Sequence, residues 1–386
     1  SLALIVIGVG FLKPNISTIV GQLYSKDDPR RDAGFTIFYM GINLGSFTAT
    51  LLCGYLGETY GWRYGFGAAG IGMLLGLVTF IRGQKYLRGL AEPPSNEQLK
   101  EIVFAGLSRE RLIYAAALVG VAVVWQMLQF HGAVGILLNS LSLAVLAGLI
   151  WFITTQCDSD ERSRMIVLIV LTLFSVVFWA LFEQSAASMT LYADRVMDRE
   201  LLGVELTASQ FGAMNAFFIF LFAPVFAFVW VFLGRRGLEP STPVKFALGI
   251  MQAGLGFGAL VIGASMPDET GRVAAIWMVL AYLLHTTGEL CLSPVGLSAV
   301  TKLAVHRVVG VMMGAWFLAT AYSEFVAVQL SKLAAIDTHE GEVLDIDAAL
   351  ASYTDLFEFL LLIGLSAGLV LLVISPLLRK GMRGIQ

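Results

Sequence analysis

The chain has 386 residues, of which 57% are hydrophobic and only 14% are charged. Soluble domains carry about a quarter charged residues, so this composition excludes a disordered protein and a soluble enzyme of ordinary build. The formal net charge of −3 gives no electrostatic signature for a nucleic-acid partner. The composition is typical of a protein that crosses a membrane several times.

Eleven apolar stretches are long enough to cross the hydrocarbon core as helices, which needs about 20 residues each. They are residues 1–23, 33–56, 64–86, 111–130, 133–156, 163–195, 208–233, 244–264, 272–302, 308–333 and 352–378. The period-2 alternation of a membrane barrel is absent from them. We therefore predict an all-α polytopic membrane protein. The chain opens inside an apolar run, so we expect residues before it. Three spans precede the polar break at 89–109, and this odd number, with the first span running inward, fits three further helices before the chain.

The basic residues sort to one side of the predicted membrane. The side rich in basic residues includes Arg82, Lys85 and Arg379, whereas the other side has only a few, among them Arg63 and Arg272. The positive-inside rule then predicts a multi-pass protein of the cell (inner) membrane with a cytoplasmic C-terminus.

The polar break near residues 89–109 separates two groups of helices and contains two prolines. We predict three parts. Residues 1–88 form three helices of an N-terminal bundle, residues 89–162 form a linker and an inserted helical hairpin, and residues 163–386 form a six-helix C-terminal bundle.

Four charged residues lie inside predicted spans, at Lys13, Glu183, Glu289 and Glu324. Charges at this depth are costly and usually functional, so we predict a polar central cavity. The alternative is that they form ion pairs that fix helix packing. Each lies near the middle of its predicted helix.

Proline and glycine flank two of these charges. Lys13 precedes Pro14, and Glu289 lies between Gly288 and Pro294, so we predict that both helices are interrupted there. Transporters bind substrates at such interrupted helices near the midplane. A buried lysine also responds to whether a nearby carboxylate is protonated, which makes Lys13 a candidate proton-coupling group.

Aromatic and polar residues share faces with the acids. Trp179 lies one turn before Glu183, and Trp316, Thr320 and Glu324 follow one another at four-residue spacing with Phe317 beside them. Their alternative role is core or lipid-facing packing. Asn43 and Asn215 also lie within spans, where they contact either a ligand or a neighbouring helix.

Glycines recur at four-residue spacing, a pattern that lets membrane helices approach closely. The pairs are Gly41 with Gly45, Gly72 with Gly76, Gly254 with Gly258 and Gly364 with Gly368. The three cysteines and four histidines lack the spacing of a metal site, so we expect no metal and no cofactor.

Four stretches carry a resemblance to a known family. They are GVGFLKPNIS at 8–17, DPRRDAGFTIFYMGINLGS at 28–46, FWALFEQ at 178–184 and GELCLSPVGLSAVTKLA at 288–304. These resemble the proton-dependent oligopeptide transporter (POT/PTR2) family of the major facilitator superfamily. The resemblance implies that fold, with its first three helices missing from this chain, an incomplete N-terminal bundle, a two-helix insert and a complete six-helix C-terminal bundle.

The resemblance also implies a function, namely symport of di- and tripeptides with protons by alternating access, with the peptide held at the midplane between the bundles. Lys13, Glu183 and Glu289 then couple transport to protons. The implied substrate-binding residues are Asn43, Trp179, Asn215, Glu289, Trp316, Phe317 and Thr320. The implied partners are peptide, protons and the lipid bilayer, with no nucleic acid, and we expect a functional monomer.

Alternatives stay open at this point. One is a related proton-coupled carrier for nitrate, amino acids or drugs, and another is a channel or a structural membrane subunit. We expect no enzyme, because the sequence offers neither a metal cluster nor a nucleophile–base pair. Glu324 matches no family motif, and we expect it to favour basic peptide side chains.

Overall fold

The structure, a computed structural model, describes residues 2–23, 31–87, 89–90, 92, 95–104, 106–334 and 345–385. At positions 13–14, 17–18, 21–22, 31–37, 39 and 131 it describes the backbone alone.

The described chain is almost entirely helical. Its α-helices are α1 Leu2–Gln22, α2 Arg31–Tyr60, α3 Trp62–Gly83, α4 Asn96–Lys100, α5 Arg109–Gln129, α6 His131–Gln156, α7 Ser159–Phe182, α8 Ser188–Arg195, α9 Ala213–Arg235, α10 Thr242–Ala264, α11 Ile276–Leu303, α12 Val309–Ser331 and α13 Ile346–Gly381. Short 3-10 turns lie at Gln84–Tyr86, Glu183–Ala186, Ala208–Gly212, His306–Val308 and Lys332–Ala334.

Six strands of two or three residues lie between helices in the described chain. β1 (Ile102–Phe104) pairs with β2 (Leu107–Ser108), and β4 (Glu200–Leu201) with β5 (Val204–Glu205), both antiparallel. β3 (Met197–Asp198) pairs in parallel with β6 (Val273–Ala274). The predicted linker therefore contains α4 and a small hairpin. The β3–β6 pair joins the loop before α9 to the loop after α10.

Nine helical stretches of the described residues, from Trp62–Tyr86 to Ile346–Gly381, are long and apolar enough to cross a membrane. They coincide with the third to eleventh predicted spans. The first two predicted spans coincide with α1 and α2, parts of which lie outside the described residues. The all-α polytopic fold is confirmed.

The helix containing Glu183 differs from its prediction. Asp158 caps α7 through hydrogen bonds from the N–H groups of Asp160 and Glu161, so the helix begins before the predicted span. It ends at Phe182, and Glu183 opens a 3-10 turn that leads into α8. The prediction that Glu183 lies mid-helix was therefore wrong, because the span is two α-helices joined by a tighter turn.

The predicted interruptions at Lys13 and Glu289 were also wrong. α1 continues through Pro14, and α11 continues through both Gly288 and Pro294. A proline removes one helical hydrogen bond, and neighbouring helices in a membrane protein can compensate for that loss. Gly288 also lets α11 approach α10 closely, since a Cβ there would lie only 2.7 Å from the carbonyl oxygen of Gly249 on α10.

The chain divides into two compact units. The first comprises residues 1–42 and 67–138, in which α1 packs against α5. The second comprises residues 43–66 and 139–386, and its centre is α10 packed between α11 and α13. The predicted three-part division at residues 88 and 162 stays a prediction.

Closely packed glycines hold α10 and α13 together. A Cβ on Gly364 would lie 2.5 Å from the Cα of Gly254, and Gly258 faces the side chain of Leu361. By contrast, a Cβ at Gly72 or Gly76 would meet no described atom within 4 Å beyond its own helix. The glycine pattern therefore predicted close packing correctly for α10 and α13, whereas for α3 it stays a prediction.

Candidate substrate and proton site

Asn215 and Glu289 form a polar contact between α9 and α11. The side-chain amide of Asn215 donates to a carboxylate oxygen of Glu289 at 2.9 Å and to the hydroxyl of Thr286 at 3.2 Å. Thr286 and Glu289 are three residues apart and share a helix face. Asn215 and Glu289 are half-buried. Among the described residues, no side chain donates to the second oxygen of Glu289, so that oxygen is available to a ligand amine.

Glu183 and Glu324 are two further acids near this site. The charge of Glu183 interacts with those of Glu289 and Glu324. Glu183 is half-buried, whereas Glu324 is exposed. A positive charge placed beside Glu183 is stabilised by the neighbouring carboxylates. Glu183 therefore lies within electrostatic range of each of the other two acids that the sequence singled out.

Gln184 fixes the position of the turn that carries Glu183. It is fully buried, and its amide donates to the carbonyl of Ala327 on α12 at 2.9 Å. Its side-chain oxygen accepts a hydrogen bond of 2.6 Å from the hydroxyl of Ser188 at the start of α8. A buried amide with both ends paired holds the turn against α12. Since Glu324 also lies on α12, Gln184 sets the relative position of the two acids.

The predicted aromatic residues occupy different surroundings. Trp179 contacts Phe178 and Phe182 edge-on, with ring centroids 5.4 and 5.3 Å apart. Its buried indole N–H has no hydrogen-bond partner among the described residues. A buried donor without an acceptor is rare in native proteins, and Trp179 lies one turn before Glu183.

Trp316 packs inside the helix bundle. It is 4% exposed and lies edge-on to Phe246, at a ring distance of 6.2 Å. This surrounding matches its alternative role in core packing. The next residue, Phe317, is 57% exposed, and the hydroxyl of Thr320 donates to the carbonyl of Trp316 at 3.3 Å. The assignment of these three residues to side-chain pockets stays a prediction.

Two predicted residues belong to the N-terminal helices. The side chain of Lys13 lies outside the described residues, although its backbone is part of α1. Asn43 in α2 is buried, with 8% of its surface exposed. Their roles stay predictions.

Sequence reasoning missed Glu58, near the end of α2. Its carboxylate accepts hydrogen bonds from the backbone N–H groups of Ala208 and Ser209. The pair Thr207 and Gln210, which forms a capping box, marks the start of the facing helix in the sequence. A carboxylate near the start of a helix interacts favourably with the helix dipole. Only the structure shows that the end of α2 meets the helix start at Ala208.

The described residues contain no group of three or more His, Cys, Asp or Glu side chains placed to hold a metal ion.

Comparisons with known proteins place the chain in a single family. The sequence profile of the POT family (PTR2) matches residues 1–345. The uncharacterized transporter YclF of Bacillus subtilis is 40% identical over the whole chain, which spans 75% of YclF. The peptide transporter YePEPT of Yersinia enterocolitica is 37% identical over 84% of the chain, which spans 66% of that transporter.

A solved structure matches as well. The crystal structure of a mutant of the peptide transporter POT in complex with alafosfalin superposes with a TM-score of 0.80 at 37% identity. The match covers 98% of this chain and 74% of that one. The helical membrane fold described above is therefore the fold of the POT transporters, within the major facilitator superfamily.

Proposed function

Because the chain belongs to the POT family, whose members are multi-pass transporters and not enzymes, we propose that it transports di- and tripeptides together with protons. The names of its relatives support the substrate class, since YePEPT is a peptide transporter and the matched crystal structure is that of another.

The observation that carries this proposal is the hydrogen bond between Asn215 and Glu289. A peptide in solution is a zwitterion, and its amino terminus needs a carboxylate when it leaves water. Asn215 engages one oxygen of Glu289 and leaves the other for the ligand amine. Trp179, with an indole N–H that has no partner in the described chain, supplies a donor for a peptide carbonyl nearby.

Proton coupling is the second part of the proposal. Glu183 and Glu289 are acids in electrostatic contact, and Lys13 is the base proposed to respond to their protonation. A peptide that bridges the N-terminal and C-terminal bundles favours the state in which both are closed around it, which links binding to alternating access. Asn43 is the proposed backbone-binding amide of the N-terminal bundle, as Asn215 is of the C-terminal bundle.

We further propose that the protein lies in the inner membrane with its C-terminus in the cytoplasm. The excess of Lys and Arg on one side of the predicted spans supports this orientation. The same proposal includes transport by a monomer. Its opposing bundles contain residues 1–88 and residues 163–386, and residues 89–162 form the linker and insert.

The test is uptake of a radiolabelled dipeptide into liposomes that contain the purified protein. An inward proton gradient should drive accumulation above the external concentration, and the saturable uptake should show counterflow. Lys13→Ala should remove accumulation while peptide exchange continues, because exchange needs no net proton movement. Equal uptake with and without the gradient would contradict coupling.

The same assay distinguishes the alternatives. Saturable uptake of nitrate, an amino acid or a drug, without competition by dipeptides, would point to the related carriers. Uptake that does not saturate and shows no counterflow would point to a channel.

A further inference from the structure

The end of α2 holds the start of the helical stretch Ala208–Arg235. The two carboxylate oxygens of Glu58 accept hydrogen bonds from the backbone N–H groups of Ser209 at 2.8 Å and Ala208 at 3.2 Å. The first N–H groups of a helix have no carbonyl partner within that helix. The positive end of the helix dipole also favours a carboxylate here. Glu58 thus caps a helix from another part of the chain.

The contact continues along α2 at residues about one turn apart. The amide of Gln210 donates to the carbonyl oxygen of Leu51 at 3.1 Å. Gly54 lies between Leu51 and Glu58 on the same face. A Cβ on Gly54 would lie 2.5 Å from the hydroxyl oxygen of Ser209, so the backbones approach as closely as glycine allows. We call Leu51, Gly54 and Glu58, with the start of the helix at Ala208, the α2–α9 contact.

The chemistry of this contact suits repeated opening. It consists of a carboxylate, an amide and a glycine, and Glu58 is exposed to solvent. Water can therefore satisfy each polar group when the helices separate. A cavity of about 790 Å³, lined by Glu58, Trp62 and Asp194 among others, lies against the contact and gives water access to it.

We propose that the α2–α9 contact is a latch that closes one side of the transporter and opens once in each transport cycle. This rests on the proposed function, because alternating access requires the N-terminal and C-terminal bundles to separate on one side at a time. By the predicted order of spans, this side faces away from the basic loops and is extracellular. Glu58 is then a positioning residue, since it holds the helix whose Asn215 contacts Glu289.

A reversible disulfide tests whether the contact must open. A Cβ added to Gly54 would lie 3.5 Å from the Cβ of Ser209, within the range that disulfides span. The double variant Gly54→Cys/Ser209→Cys is made in a Cys53→Ala background, because Cys53 is partly exposed. Oxidised protein should lose at least nine-tenths of dipeptide uptake, and reduction should restore it.

Full uptake by completely cross-linked protein would overturn the proposal, because only a contact that stays closed throughout transport tolerates the disulfide. Absence of uptake by the reduced protein as well as by the Cys53→Ala parent would instead contradict the proposed function.

A second measurement needs no transport. Glu58→Gln removes the charge and one acceptor, so a thiol-reactive probe added from outside should label Ser209→Cys about tenfold faster. Glu205→Gln is the matched control, because Glu205 lies in the same loop region and its carboxylate pairs with Arg199 at 4.0 Å. An unchanged labelling rate in Glu58→Gln, or an equal rise in the control, would overturn the proposal.

Discussion

The side-chain amide of Asn215 on α9 donates a 2.9 Å hydrogen bond to the carboxylate of Glu289 on α11. The bond joins α9 to α11, and it fixes one oxygen of the acid. We expect Glu289→Gln to weaken dipeptide binding by about 10- to 100-fold, because a hydrogen bond to a charged group contributes about 1.5–3 kcal/mol. Isothermal titration measures this change.

An N-acetylated dipeptide is the control for this prediction, because it lacks the amine that Glu289 is proposed to bind. Its weak binding should be the same in the wild-type protein and in Glu289→Gln. An equal loss for both ligands would mean that Glu289 acts on the fold of the site and not on the amino terminus.

Glu324 is exposed and interacts electrostatically with Glu183. We expect Glu324→Gln to lower the preference for lysine-containing over neutral dipeptides by about 1.4- to fivefold, since an exposed ion pair contributes about 0.2–1 kcal/mol. Competition for uptake measures the ratio. Glu358→Gln, at an exposed acid in α13, is the control and should leave the ratio unchanged.

Gln184 pairs with Ala327 and Ser188 across the turn that carries Glu183. Gln184→Ala leaves a buried carbonyl and a hydroxyl without this partner, so we expect a loss of about 1–3 kcal/mol in stability. Thermal unfolding in detergent should show a lower midpoint. The exposed Gln329 on α12 provides the control, and Gln329→Ala should leave the midpoint almost unchanged.

Gly364 faces Gly254 so closely that any side chain must push α13 away from α10. We expect Gly364→Ala to destabilise the protein by about 1–3 kcal/mol, the usual effect of overpacking. Gly76→Ala is the control, because a Cβ at Gly76 meets no described atom within 4 Å. It should be neutral or slightly stabilising, since alanine favours helix. Equal midpoints for the two variants would contradict this assignment.

Much of the fold followed from the sequence because hydrocarbon imposes one simple requirement. Each span needs a long apolar helix, so counting apolar stretches located the nine membrane-length stretches from Trp62–Tyr86 to Ile346–Gly381 without knowledge of tertiary contacts. The same argument identified Glu183, Glu289 and Glu324, because a charge in a span stands out. In the structure, Glu183 lies within electrostatic range of the other two.

The local course of the backbone was harder to predict. Proline and glycine near Glu289 suggested a broken helix, yet α11 continues through both, and Gly288 instead serves close packing against Gly249. The real break, at Glu183, has no proline and depends on tertiary bonds from Gln184. Glu58 was missed for a similar reason, since its partners are backbone N–H groups about 150 residues later in the chain.

The crossing of Gly254 with Gly364 also affects the entropy of assembly. Most side chains lose rotamer freedom when they pack, at a cost of up to about 2 kcal/mol each, but glycine has none to lose. In a bilayer the backbone is already ordered as a helix before helices associate. Pairing α10 with α13 at this crossing therefore costs almost no conformational entropy. The free energy of this helix–helix association should depend only weakly on temperature.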